Sequence, residues 1–319
     1  MSLRLKLYRK KERYKKMLNA ALHSSCTVLL YHRVYTPEQD PQQLCVSPEL
    51  FYEQLKTLKN KHRFLSVAEY FEILTSRKKF PKKSLLITFD DGYADNLYNA
   101  VPVLEALNLQ GLFYVATNRF YSNELFWWDE LDCFFASLEK KNLIELSRSQ
   151  GLENIGDLYE YYLKKCKLAT SLEERERILN QLRKSVLLNE EKKKEYKFLD
   201  KDELLKMAAS KSVVIGAHTV NHLSLAHLSL DDQMFEIKKS VQQLSELLPY
   251  KMEHFSFPYG ERHNYNEDTI RICKEIGLKS AAANYCDRVT PNSDIFSFPR
   301  FVVRNDKPEL LLKKLKNCL

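Results

Sequence analysis

Three short apolar runs in this chain each end in residues that can bind a metal or move a proton. Leu85-Leu86-Ile87-Thr88-Phe89 runs into Asp90-Asp91-Gly92-Tyr93. Val213-Val214-Ile215 leads to His218, with His222 four residues on, and Phe255-Ser256-Phe257 runs into Pro258-Tyr259-Gly260. Apolar, β-branched runs this short read as buried strands. Catalytic groups at the C-terminal ends of several buried strands are what a parallel α/β sheet or barrel supplies.

The residue types point to hydrolysis. His218 and His222 with Asp91 offer two imidazoles and a carboxylate, a set that suits a catalytic Zn²⁺ with one position open for water. Their spacing lets both rings face one point if His218–His222 forms a single helical turn. Adjacent aspartates at a strand end point in different directions, so one can bind metal while the other serves as general base. Each motif has a plainer reading alone. Asp-Gly is a common turn dipeptide, and an H-x-x-x-H pair is often a solvated or structurally satisfied one. Their coupling at two strand ends favours a metal site.

The elements that must position these groups alternate. Thr27-Val28-Leu29-Leu30-Tyr31 reads as a strand ending at His32, and Ser47-Pro48-Glu49-Leu50 signals a helix start after a turn-rich segment. Val67–Leu74 and Asn96–Leu107 have helical periods, and Gly111–Ala116 is a further strand. This predicts βα units and a mostly parallel sheet. Between about 122 and 206 the rhythm gives way to Leu, Lys and Glu, with Leu172–Leu188 helical throughout, which predicts a helical insertion. The rhythm resumes at Ser212, with helices over Leu230–Leu248 and Ile270–Ile276, the latter closed by Gly277. Ser280–Tyr285 and Phe298–Val303 are the last strand candidates. The expected organisation is a basic N-terminal helix over 1–22, then one α/β unit over 23–319 carrying the insertion.

The 319 residues carry a net charge of +8, from 50 basic and 42 acidic side chains. Much of the excess lies at the ends, in Arg4 to Lys16 and in Lys313, Lys314 and Lys316. Solvated terminal helices explain it, and so would peripheral contact of the basic N-terminus with an anionic membrane. No nucleic-acid-binding spacing appears. No apolar stretch is long enough to span a bilayer, and the charged N-terminus lacks a signal-peptide core. Seven scattered cysteines, never in C-x-x-C spacing, argue against a disulfide framework or cysteine zinc site. Together these features predict a cytoplasmic protein, peripheral at the membrane if its basic end binds lipid.

Thr88-Phe89-Asp90-Asp91-Gly92-Tyr93, His218-Thr219-x-x-His222-x-x-Leu225 and Phe257-Pro258-Tyr259-Gly260 resemble the first three motifs of the polysaccharide deacetylases, the NodB homology group of carbohydrate esterase family 4. Leu29–Val34, Val46–Phe51 and Trp127-Trp128-Asp129 resemble the branch of bacterial exopolysaccharide deacetylases. The resemblance implies a distorted (β/α)7-type barrel and metal-dependent removal of an N-acetyl group from a sugar. It implies Asp90 as base, a divalent metal (zinc first) on Asp91, His218 and His222, and the Tyr259 backbone N–H as oxyanion donor. Two departures matter. Ser256 stands where many members have an arginine that orients the base, and Arg300 either substitutes for it or forms a surface salt bridge. No histidine follows His263 to act as the late catalytic acid; His32 fills that role in the resembling branch, or is structural. Trp127 and Trp128 stack on a sugar or pack the insertion, with packing favoured for one of them. The implied substrate is an N-acetylated glycan or a lipid- or nucleotide-linked sugar precursor. A catalytically degenerate glycan-binding protein and a basic membrane-surface scaffold are the alternatives.

Overall fold

A computed structural model describes residues 24–122, 124–184 and 193–317. The expected helix over 1–22 therefore lies outside the described residues. The first half comprises β1 (Cys26–Tyr31), β2 (Arg33–Val34), β3 (Cys45–Val46), α1 (Pro48–Lys59), β4 (Arg63–Phe64), α2 (Val67–Thr75), β5 (Ser84–Phe89), α3 (Val101–Ala106) and β6 (Gly111–Val115). Helices α4 (Trp127–Ser137), α5 (Lys140–Ser149), α6 (Gly156–Lys167) and α7 (Leu172–Arg183) then interrupt the alternation. It resumes with α8 (Lys201–Ala208), β7 (Val213–Ala217), α9 (Leu230–Leu247), β8 (His254–Ser256), α10 (Glu267–Glu275), β9 (Ser280–Ala282), β10 (Phe301–Val302) and α11 (Pro308–Asn317).

The main sheet runs β10-β1-β5-β6-β7-β8-β9, with β4 beside β5, and every pairing within it is parallel. Phe298 bridges Ala282 while Phe301 pairs with Leu29, so one segment ties the last strand back toward the first. This is the distorted (β/α)7-type barrel expected from the sequence. Both faces of β1, β5 and β6 are buried, which is why they read as near-continuous apolar runs. Leu29, Ile87 and Phe113 join the cluster under α1, α8 and α9, while Val28, Leu86 and Leu112 face Tyr70 and Leu74 of α2.

Local signals set the helix ends. Ser47 accepts from Leu50 N–H at the start of α1, and Asp200 with Glu203 forms a capping box on α8. Gly277 takes φ +85° after α10, a conformation open to glycine. Three features depart from expectation. The turn-rich segment contains the parallel pair β2–β3. The expected helix from Asn96 begins as a π-helical turn over Asn96–Ala100, because Pro102 in the first turn of α3 cannot donate a backbone hydrogen bond. Cys286 is disulfide-bonded, although the scattered cysteines argued against a disulfide framework; Cys26, Cys45, Cys133, Cys166 and Cys273 are buried and free.

The inserted helices share one core. Trp127, Trp128 and Leu131 of α4 pack with Leu158 and Tyr162 of α6, Leu179 and Leu182 of α7, and Tyr93 just beyond β5. Through Tyr93 that core abuts the strand end carrying the aspartates.

Candidate active site

At the end of β5 the chain turns sharply. Asp91 has φ +79° and Gly92 φ +92°, and a Cβ on Gly92 would lie 2.7 Å from Val115 Cγ1. This turn sends the two carboxylates apart. Asp90 faces Arg300, whose Nη1 and Nη2 donate to its two oxygens at 2.7 Å each. Ser256 Oγ donates to Asp90 Oδ2 at 3.2 Å and accepts from Arg300 Nη2 at 2.7 Å. Arg300 is 1% exposed, which removes the surface salt-bridge reading. Burial pushes the Asp90 carboxyl up, but Arg300, together with His218 and His32, outweighs it and leaves the pKa lowered.

Asp91 faces the histidines. Its Oδ1 lies 3.5 Å from Nε2 of His218 and 3.5 Å from Nε2 of His222, and the three buried donors fall within 4.8 Å of one another. Ligands about 2.0–2.1 Å from a tetrahedral zinc are roughly 3.3 Å apart, so the two distances from Asp91 fit. His218 Nδ1 donates to Ser256 O at 2.8 Å, which leaves the Nε2 lone pair toward Asp91. The donor set suits a divalent ion. Burial pushes His218 down, but the Asp90 and Asp91 carboxylates leave its pKa raised. Burial takes His222 well below its ordinary value, and the neighbouring His218 adds to the effect.

The expected helical turn over His218–His222 is absent. Thr219 and His222 have φ +64° and +52°, and Thr219 Oγ1 accepts from His222 N–H at 3.0 Å. The rings converge through a left-handed loop, because the Thr219 hydroxyl and the Glu236 carboxylate take the amide hydrogens of residues 220–222 that a helix would use.

Asp90, Asp91, His218 and His222 line a cleft of about 190 Å³ together with His32, Trp127, Trp128, Tyr259 and Arg304. A larger cleft of about 560 Å³, beside Thr27 and Ser84 at the opposite strand ends, contains none of them. His32 follows β1, and Asn96 Nδ2 donates to its carbonyl at 2.9 Å. Burial lowers its pKa, with Asp91 and Asp90 opposing. Tyr259 has φ +60°, and no described protein group accepts its N–H. Next to it, a Cβ on Gly260 would lie 2.6 Å from Asn284 N. Both tryptophans are buried and also border the cleft. Trp127 Nε1 donates to the Tyr259 hydroxyl at 3.1 Å, and the Trp128 ring packs edge-on against His222 at 4.5 Å.

Sequence reasoning missed several supports. Arg175 and Glu236 carried no local signal, and Ser256 was noted only for the arginine it replaces, not for its own contacts with Asp90 and Arg300. His254, also unassigned there, begins β8, where its ring stacks on Phe71 and Nδ1 meets Ser280 Oγ.

A parallel barrel with an arginine-held carboxylate beside an Asp-His-His donor set is a hydrolase architecture. The chain belongs to the polysaccharide deacetylase family, whose sequence model matches residues 77–157 and 168–281. As a member it is a hydrolase of the carbohydrate N-deacetylase type. A poly-beta-1,6-N-acetyl-D-glucosamine N-deacetylase of Staphylococcus epidermidis is 26% identical over 306 residues, covering 91% of this chain and 83% of that protein. A Staphylococcus aureus protein of the same name is 24% identical over 304 residues, covering 91% and 83%. Among solved structures, the Streptococcus pyogenes deacetylase PplD in complex with acetate superposes with a TM-score of 0.61 at 19% identity, covering 92% of this chain and 99% of that one. IcaB from Ammonifex degensii gives 0.59 at 18% identity, covering 92% and 97%. These two likenesses show the fold.

Proposed function

We propose that the chain is a divalent-metal-dependent N-deacetylase that hydrolyses the N-acetyl amide of an amino sugar in a glycan. The observation that carries the reading is the convergence of Asp91, His218 and His222 beside the Arg300-held Asp90 in one cleft. The activity named for the staphylococcal relatives makes a β-1,6-linked N-acetylglucosamine oligomer the first substrate to test.

Asp91, His218 and His222 would hold the ion, which supplies Lewis acidity that polarises the acetyl carbonyl and makes the attacking water more acidic. Asp90, kept ionised by Arg300, takes the proton of that water as its oxygen attacks the carbonyl carbon. The Tyr259 N–H donates to the carbonyl oxygen as negative charge gathers there. His32 gives a proton to the amide nitrogen, the C–N bond breaks, and acetate and the free amine depart.

Acetate release from an N-acetylglucosamine oligomer tests this, with nucleotide- and lipid-linked N-acetyl sugars run in parallel. The wild type should release acetate. Asp90→Asn should keep its metal and lose about 10²–10⁴-fold in rate, since an amide cannot accept the proton. Glycan binding with no acetate from any substrate would overturn the reading in favour of a non-catalytic binder.

A further inference from the structure

The loop carrying His218 and His222 is held by charges from two other elements. Thr219 and His222 adopt φ of +64° and +52°, a conformation that non-glycine residues keep only when their surroundings impose it. From α9, Glu236 accepts Val220 N–H at 3.0 Å, Asn221 N–H at 2.8 Å and Asn221 Nδ2 at 2.7 Å. From α7 in the helical insertion, Arg175 donates to Asn221 O at 2.7 Å and to His222 O at 3.2 Å. Glu236 is 2% exposed and Arg175 3%. The amide hydrogens of this loop thus face a carboxylate, and its carbonyls face a guanidinium.

We propose that Arg175 is a positioning residue of the metal centre, through which the helical insertion sets metal affinity. The proposal rests on the reading of Asp91, His218 and His222 as metal ligands. Without Arg175 two buried carbonyls lose charge-assisted partners. The only other described donor to either is the Tyr259 hydroxyl, 3.4 Å from His222 O. The loop is then free to leave its left-handed conformation, and His222 Nε2 moves away from Asp91. Losing such a supporting contact typically weakens metal binding about 10- to 100-fold. A lysine has one ammonium in place of a planar fork, so it can serve one carbonyl well and the other poorly.

The test is Zn²⁺ affinity by chelator competition on metal-stripped full-length protein, with the melting temperature of each metal-free variant measured alongside. Arg183→Met is the control, since Arg183 lies on the same helix but pairs with Glu130 and Glu176 instead of the loop. Arg175→Met should bind about 10- to 100-fold more weakly, Arg175→Lys should fall between, and Arg183→Met should match the wild type even if its melting point drops. Wild-type affinity in Arg175→Met overturns the proposal. So does equal weakening in Arg183→Met at an equal loss of melting temperature, which would show only general support by the helix. If Arg175→Met does not fold, Arg175→Lys decides. Weaker zinc binding at an unchanged melting point supports the proposal, and unchanged affinity overturns it. Absence of zinc binding by the wild type would overturn the metal reading itself, a distinguishable outcome.

Discussion

Arg300 and Asp90, 210 residues apart, meet as a fork, with Nη1 on one carboxylate oxygen and Nη2 on the other at 2.7 Å each. Ser256 stands where many members of the family have an arginine, and its hydroxyl contacts both partners. The guanidinium thus reaches Asp90 from the segment before β10, and the small serine leaves room for it. A bidentate, buried pair of this kind fixes both the orientation and the ionisation of the carboxylate.

Arg300→Met should therefore move the acid limb of kcat/KM to higher pH. The pKa of Asp90 is lowered in the fold, so loss of the cation raises it, and the base ionises only at higher pH. Leaving the carboxylate buried and unpaired should also cost about 3–5 kcal/mol of stability, measurable by denaturant unfolding. An unmoved acid limb would remove Arg300 from the role of tuning the base.

Metal removal gives a second prediction. Chelation should abolish turnover, and Zn²⁺ should restore it. Elemental analysis should find stoichiometric metal in the wild type and little in His218→Ala. At a free metal concentration 100 times Kd, the bound ion should stabilise the fold by about 2.7 kcal/mol, seen as a rise in Tm that His218→Ala lacks. Equal metal content in the two proteins would sink the ligand assignment.

How far the site could be read beforehand follows from the range of each interaction. Strands β1, β5 and β7 were legible because each is a short run of apolar and β-branched residues with no charged interruption, and Asp90, Asp91 and His218 follow directly in sequence. The approach of Arg300 to Asp90 was open, because β5 and the segment before β10 are distant in sequence and lie on either side of β1 only in the folded sheet. The His218–His222 spacing suggested a helical turn, yet Glu236 and Thr219 hydrogen-bond its amides and select a left-handed loop. Trp127 and Trp128 were ambiguous for a physical reason. Both are buried in the core of the insertion and both border the cleft, so packing and site formation are one role.

His254 gives a prediction about stability away from the cleft. Burial lowers its pKa to about 4, against an ordinary value near 6.5. The unfolded chain then binds the proton more readily, so stability is full above about pH 6.5 and falls as pH drops toward 4. A shift of this size corresponds to about 3 kcal/mol at the acid end. His254→Phe, which keeps a ring against Phe71, should flatten that part of the curve. Unfolding free energies of the two proteins between pH 4 and pH 7 check this. Parallel curves would show that His254 is not the group responsible.

His32 is the remaining chemical assignment, and its surroundings make the prediction specific. It closes β1 beside β5, so it shares the strand-end cleft with Asp90 although 58 residues separate them in sequence. As the acid it must carry a proton while Asp90 is ionised, so the rate should follow a bell in pH. Burial lowers its pKa more than Asp91 and Asp90 raise it, so the alkaline limb should lie below the ordinary histidine value of about 6.5. His32→Ala should lower turnover, flatten that limb and leave metal content unchanged. The attacking water can titrate in the same region, so the profile needs a second measurement. A substrate with a good leaving group needs no protonation as the C–N or C–O bond breaks. An activated ester should therefore be hydrolysed by His32→Ala at close to the wild-type rate, while the N-acetyl sugar is not. If both substrates suffer alike, or neither does, His32 is structural and the amine takes its proton from another source.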